Sequence, residues 1–131
     1  MKYILILTAA VFLILTSGCA SSQAPRDIPH KSVMVKKQTG LASYYSSRLH
    51  GCKTASGEYY DETNMTAAHR TYKFGTRLKV TNLSNNRTVI VRVNDRGPFV
   101  KGRIIDLSRK AAEQVGMIKQ GVVRVRIEVI C

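Results

Sequence analysis

After Gly40, hydrophobic and polar residues mostly alternate with a period of two. Leu41 to Tyr45 is the first such stretch. Arg77 to Leu83 is the second, with Leu78 and Val80 on one face and Arg77, Lys79 and Thr81 on the other. A turn at Ser84-Asn85-Asn86, where Asn tolerates a left-handed backbone, leads into Thr88 to Val93. Val122 to Ile130 alternates again, setting Val123, Val125, Ile127 and Val129 against Arg124, Arg126 and Glu128. This period predicts half-buried strands. One stretch is helical in character: Ser108 as N-cap, Ala111 to Val115 as body and Gly116 as stop. A shorter turn of helix is expected near Asn64 to Ala68. Several short strands with one or two short helices predict a mainly β fold, closed as a barrel rather than stacked as a sandwich.

The start of the chain follows a different pattern. Lys2 precedes an almost unbroken apolar run from Ile4 to Leu15. That run is shorter than the ~20 residues a membrane-spanning helix needs, and it reads as a secretory signal. It ends in Leu15-Thr16-Ser17-Gly18-Cys19, which resembles a lipobox. Residues 1–18 are therefore expected to be a lipoprotein signal peptide, with Cys19 lipidated. The alternative is an ordinary signal cleaved near Ala20, which would leave a soluble exported protein. An anchor of more than one acyl chain suffices for stable membrane residence. With Ala20 after Cys19, the expected location is the periplasmic face of the outer membrane in a Gram-negative source. Residues 19–39 carry Pro25, Pro29, Ser21 and Ser22 without a sustained period and read as a flexible tether. Such a segment reaches about 65 Å when extended and averages roughly 25 Å as a coil. Residues 40–131 are the expected folded domain.

Composition narrows the partners. Of 131 residues, 21 are Lys or Arg and 8 are Asp or Glu; without Lys2 the balance is 20 against 8, a formal +12. Such a charge commonly means nucleic acid. An exported chain does not meet the genome, so anionic envelope polymers and lipid headgroups are the expected partners. With Cys19 lipidated, Cys52 and Cys131 remain as an even pair in an oxidising compartment and are expected to form a disulfide. His50, Cys52 and His69 are an alternative zinc set, but no metal-ligand spacing supports it. No metal or other cofactor is therefore expected.

The chemistry gathers where the Val89-Val91-Val93 strand runs out at Asp95, before a Gly97-Pro98 turn. A carboxylate there is fixed by the sheet yet open to a cleft. Taken alone, an Asp in a turn between Arg92 and Arg96 is more often a cap or an ion-pair partner. Other stretches accompany it: Lys53-Thr54-Ala55-Ser56-Gly57-Glu58, Met65-Thr66-Ala67-Ala68-His69-Arg70, Phe74-Gly75-Thr76, Asn94-Asp95-Arg96-Gly97-Pro98-Phe99, and Gly102-Arg103-Ile104-Ile105-Asp106-Leu107-Ser108. In this order, they resemble the RlpA (rare lipoprotein A) family over essentially all of Gly40 to Ile130. The family's usual Trp-Tyr-Gly is replaced by Tyr44-Tyr45-Ser46, and the chain stops at Cys131, where many members continue into a glycan-binding domain.

The resemblance implies a six-stranded double-psi β-barrel. It also implies a septal or wall-associated lytic transglycosylase acting on peptidoglycan glycan strands, with cell-division or wall-synthesis proteins as partners. Asp95 is then the catalytic acid, and Glu58 and His69 complete the functional set. Tyr44 and Tyr45 would stack on sugars, while Arg70 and Arg96 would bind substrate. Asp106 reads as structural, holding an Arg or capping the Ser108 helix. Cleaving the β-1,4 bond after N-acetylmuramic acid needs a proton on the leaving oxygen and support for an oxocarbenium-like transition state. One carboxyl can serve first as acid and then as base, while the sugar's own C6 hydroxyl attacks and leaves a 1,6-anhydro end. A non-catalytic, expansin-like wall-loosening module using the same cleft is the second reading.

Overall fold

The computed structural model describes Gly18 and residues 36–130. The signal peptide, Cys19 and Cys131 lie outside the described residues, apart from Gly18. Six strands form a closed barrel: β1 (Lys37–Tyr44), β2 (Thr66–Ala68), β3 (Arg77–Asn82), β4 (Thr88–Asp95), β5 (Arg103–Leu107) and β6 (Val123–Ile130). One short helix, α1 (Arg109–Gln114), lies between β5 and β6, and a 3₁₀ turn covers Ser47–Leu49. Around the barrel the order is β1-β5-β2-β4-β3-β6. The pairs β1/β5 and β2/β4 are parallel, and all other pairs are antiparallel.

The alternation read from the sequence fills the barrel. Leu78 and Val80 of β3, Val91 and Val93 of β4, and Val125 and Ile127 of β6 are almost fully buried. Ala42, Ala67, Ile105 and Leu107 complete the inner layer. One end is closed by α1, whose Ala111 and Ala112 pack into the same core, as do the following Val115 and Met117. Ser108 caps the helix as expected, its hydroxyl accepting from the Ala111 N–H at 3.2 Å. Asn86 holds a left-handed φ of 60° in the β3–β4 turn.

Two expectations need correction. The tether does not run to Thr39, because β1 begins at Lys37 and its first residues pair with Glu128, Ile127 and Arg126 of β6. Their side chains are polar and exposed, so only the backbone pairing marks them as strand. The helical turn expected near Asn64 to Ala68 is also absent. Thr66–Ala68 is strand β2, buried on every residue and held between β4 and β5.

Both parallel pairs are irregular at the same relative place. Ala67 faces Val93 and Ala68 faces Asp95, which leaves Asn94 as an extra residue in β4. Leu41 faces Arg103 and Ala42 faces Ile105, which leaves Ile104 extra in β5. At the second site the Ile104 side chain packs directly over Gly40: a Cβ there would stand 2.7 Å from Ile104 Cγ2. A side chain at position 40 would therefore force Ile104 to move.

Candidate active site

The bulge at Asn94 explains why Asp95 is available at all. Period two would turn residue 95 inward with Val91 and Val93. One inserted residue re-aims the side chain, as bulges beside functional sites commonly do. Asp95 ends half-buried at the barrel's rim.

The connection from β1 to β2 folds over this strand end. Lys53 and Tyr59 bridge across a small hairpin, and Gly57 takes the φ of +91° that its tip requires. The Thr54 N–H donates to Glu58 O at 2.7 Å, and the Ser56 N–H donates to Asn94 O at 3.2 Å. The tip is thereby pinned to β4. From it the Ala55 N–H donates to Asp95 Oδ1 at 2.9 Å, joined by the Arg96 N–H at 2.8 Å. The Tyr45 hydroxyl donates to Oδ2 at 2.6 Å. Burial first, and then this bond to Asp95, push the Tyr45 phenol well above its ordinary range, so it remains a donor. Its ring packs on Tyr60 with centroids 4.7 Å apart.

Glu58 is held separately. Arg92 and Asn94 lie two apart on β4 and both reach it. Arg92 Nη1 donates to both carboxylate oxygens at 2.7 and 2.9 Å, and Asn94 Nδ2 donates to Oε2 at 3.1 Å. These hydrogen bonds, Arg92 first, hold the Glu58 carboxyl below the usual carboxylate range, so it is ionised at neutral pH. The two carboxylates are thus held by the end of β4 and the hairpin over it, Asp95 on the strand and Glu58 on the hairpin. Asp95 is bonded by neutral donors, and Glu58 by a cation and an amide. Arg92 and Asn94 were not anticipated as site residues. Their signal was present, because both occupy the face of β4 opposite Val91 and Val93.

Other expected site residues are placed elsewhere. His69 hydrogen-bonds to neither carboxylate. Its backbone N–H donates to Asp95 O at 3.1 Å, but its ring turns away. Nδ1 accepts from the Thr71 and Tyr72 N–H groups, each at 3.2 Å, which leaves the proton on Nε2, 3.3 Å from Gln38 Oε1. Burial, then Arg96, Arg70 and Lys36, lower the imidazole from 6.5 to about 4. His69 is thus a neutral residue that closes the 69–72 turn.

Arg70 and Arg96 are both held by backbone carbonyls. Arg70 donates to Pro98 O, Val100 O and Arg103 O. Arg96 donates to His69 O and Tyr72 O and lies 4.0 Å from the Phe74 ring centroid. Neither guanidinium addresses Asp95. The Tyr44 hydroxyl donates to Ile118 O at 3.0 Å beside α1, while that of Tyr45 reaches Asp95. Asp106 holds Arg103 at 2.7 Å and accepts from the Ser43 hydroxyl, which makes it structural as expected. Cys52 is an exposed free thiol among the described residues, and its expected partner, Cys131, lies outside them. His50 accepts from the Glu62 N–H at 3.2 Å and lies 4.0 Å from Asp61, apart from buried His69.

The architecture and the paired carboxylates define a double-psi β-barrel protein with a rim site. Among solved structures of this fold, the Streptomyces papain inhibitor matches with a TM-score of 0.61 and 24% identity, covering 73% of this chain and 96% of that one. An apo Clavibacter michiganensis expansin matches with a TM-score of 0.59 and 23% identity, over 73% and 51%. Within that fold the chain belongs to the Lytic transglycolase family, whose profile matches residues 37–127. Its relatives include proteins named endolytic peptidoglycan transglycosylase RlpA. The one from Campylobacter jejuni is 59% identical over 91 residues, which are 70% of this chain and 33% of that protein. The one from Neisseria meningitidis serogroup A is 50% identical over 105 residues, which are 80% of this chain and 44% of that protein. The chain thus spans about a third to somewhat under a half of these relatives' length.

Proposed function

We propose that this chain is an endolytic lytic transglycosylase that cleaves the β-1,4 bond between N-acetylmuramic acid and N-acetylglucosamine in peptidoglycan glycan strands. The observation that carries the reading is the pair of differently held carboxylates at the end of β4. Relatives at 50–59% identity that bear this activity in their names support it.

In the proposed reaction Asp95 gives its proton to the leaving O4 as the glycosidic bond breaks. Tyr45 and the two N–H groups fix the orientation of the carboxyl, and Oδ2 keeps one lone-pair direction free of the Tyr45 bond. Glu58, ionised by its contacts with Arg92 and Asn94, places a negative charge beside the developing oxocarbenium ion. The C6 hydroxyl of the muramic residue then attacks C1 and passes its proton to Asp95. This closes the 1,6-anhydro ring and restores the acid. No water is consumed.

Purified peptidoglycan strands treated with the protein are expected to yield fragments ending in 1,6-anhydro-muramic acid by mass spectrometry. Reducing ends would instead mean a hydrolase. Binding with no product would favour the expansin-like reading, which draws support from the full pairing of Glu58 with Arg92.

Lipid anchoring at Cys19 belongs to the same proposal and rests on the run from Ile4 to Leu15 and the Thr16-Ser17-Gly18-Cys19 end. The protein would then face the periplasm from the outer membrane of a Gram-negative cell. Replacing Cys19 with Ala should move the protein from the membrane fraction to the soluble one. An unchanged membrane fraction would refute an anchor at this residue.

A further inference from the structure

We propose that the basic cavity beside the 69–72 turn is a carboxylate-binding site that takes an acidic substituent of the glycan, separate from the Asp95–Glu58 centre. The proposal rests on the glycan reading above and names which strands the site would favour. The cavity is about 330 Å³, and its walls include Lys36, Lys37, Gln38, His69, Arg70 and Tyr72. That volume is at the lower end of small-ligand sites and suits a short acidic group rather than a whole sugar.

The charges around it are poorly balanced. Glu128 pairs with Lys37 at 3.4 Å, and the same carboxylate also lies 3.3 Å from Arg126. Neither Lys36 nor Arg70 has an acidic partner among the described residues. Arg70 uses Nε and Nη2 on three neutral carbonyls, which fix the group without cancelling its charge. A cation held that way loses little freedom when an anion arrives. The buried floor, His69, is a neutral imidazole bonded to its own turn and adds no counter-charge. Lys36 Nζ stands 6.0 Å from the Tyr72 ring centroid at one side. The Tyr72 ring and Ile104 supply apolar wall. Cationic donors beside an apolar face describe a receptor for a carboxylate on a short aliphatic stem.

The position also fits. The cavity wall includes His69, whose backbone N–H donates to the backbone carbonyl of Asp95 with N and O 3.1 Å apart, so the 69–72 turn is joined to the end of β4. In this proposal a strand seated at Asp95 runs over the 69–72 turn, and so carries its substituents past the opening. Two sources share this chemistry: the lactyl acid of a peptide-free muramic residue, and the carboxylate of a peptide attached to it.

The test is an NMR titration of the full chain with N-acetylmuramic acid, D-alanyl-D-alanine, N-acetylglucosamine and inorganic phosphate. The acids are expected to shift the His69 ring and Arg70 side-chain signals, and the neutral sugar is not. The stronger of the two acids identifies the source. Lys36→Gln combined with Lys37→Gln, both exposed and outside the core, should weaken that binding roughly tenfold, and added salt should weaken it further. Asp95→Asn should leave it unchanged. Equal shifts from N-acetylglucosamine, tighter binding of phosphate than of either acid, or unaltered affinity in the double variant would each overturn the site. If anhydro products form while no carboxylate binds, this inference alone fails. If carboxylates bind and no glycan is cleaved, the enzymatic reading fails and the acid site stands as a binding site.

Discussion

Asp95→Asn is expected to remove product formation by on the order of 10²–10⁴-fold, the usual contribution of a general acid. The fold should survive, for a reason visible in the bonds. Oδ1 accepts from the Ala55 and Arg96 N–H groups, which the Asn oxygen can also do. The Asn NH₂ then replaces Oδ2 opposite the Tyr45 hydroxyl, and that hydroxyl can rotate from donor to acceptor. What is lost is only the proton that can be given and taken back. Anhydro-product release from purified strands measures the activity, and a melting temperature within about 4 °C of wild type confirms the fold. Activity within threefold of wild type in a folded variant would remove Asp95 from the chemistry.

The second large effect concerns stability against pH and involves no substrate. His69 has an ordinary value of 6.5 and a folded value of about 4. The folded imidazole stays neutral because protonation would charge a buried ring already facing Arg96, Arg70 and Lys36, and would remove the Nδ1 lone pair that accepts from Thr71 and Tyr72. Between these two values the unfolded chain binds more protons than the folded one, so stability falls as pH falls. The contribution is fully present above 6.5 and is lost as pH drops through about 4, amounting to about 3 kcal/mol. His69→Asn provides the control, since its side-chain oxygen can still accept from the turn and does not titrate. Urea midpoints across this window should fall steeply for wild type and stay nearly flat for the variant. Glu58 and Asp61, both held below their ordinary values, add a further loss at lower pH that the two proteins share. Equal slopes in the two proteins would refute the neutral buried imidazole.

Periodicity made some of the barrel legible and hid the rest for physical reasons. β3, β4 and β6 alternate because one face meets the core and the other meets water. β2 has three residues, all buried, and so shows no alternation; an Ala-rich segment of that length reads equally as helix. β5 carries its extra residue at Ile104, which places Ile104 and Ile105 side by side and breaks the period. The start of β1 is polar and exposed, and its membership in the sheet is written only in backbone bonds to β6.

The site divides in the same way. The family's motifs singled out Asp95 and the Lys53–Glu58 stretch, and the contact of the hairpin tip with Asp95 is seen only in the fold. The roles of His69, Arg70 and Arg96 were not, because each bonds mainly to backbone N–H or C=O groups. Such bonds depend on loop geometry and leave no pattern in residue types.

The closing seam of the barrel has a consequence for how the chain reaches its native state. β1 finds its hydrogen-bond partners only in β5 and β6, with Lys37 opposite Glu128, so the first strand made is completed by the last. Contacts so distant in sequence must overcome loop-closure entropy before they stabilise anything, and barrels of this kind fold slowly. A chain threaded N-terminus first through a narrow pore could not shut its seam until β6 had emerged. Until then the edges of β1 and β3 that face β6 would be unpaired and open to capture by a chaperone or another chain. The wiring that protects the finished barrel from fraying therefore makes the moment before β6 docks its most vulnerable one.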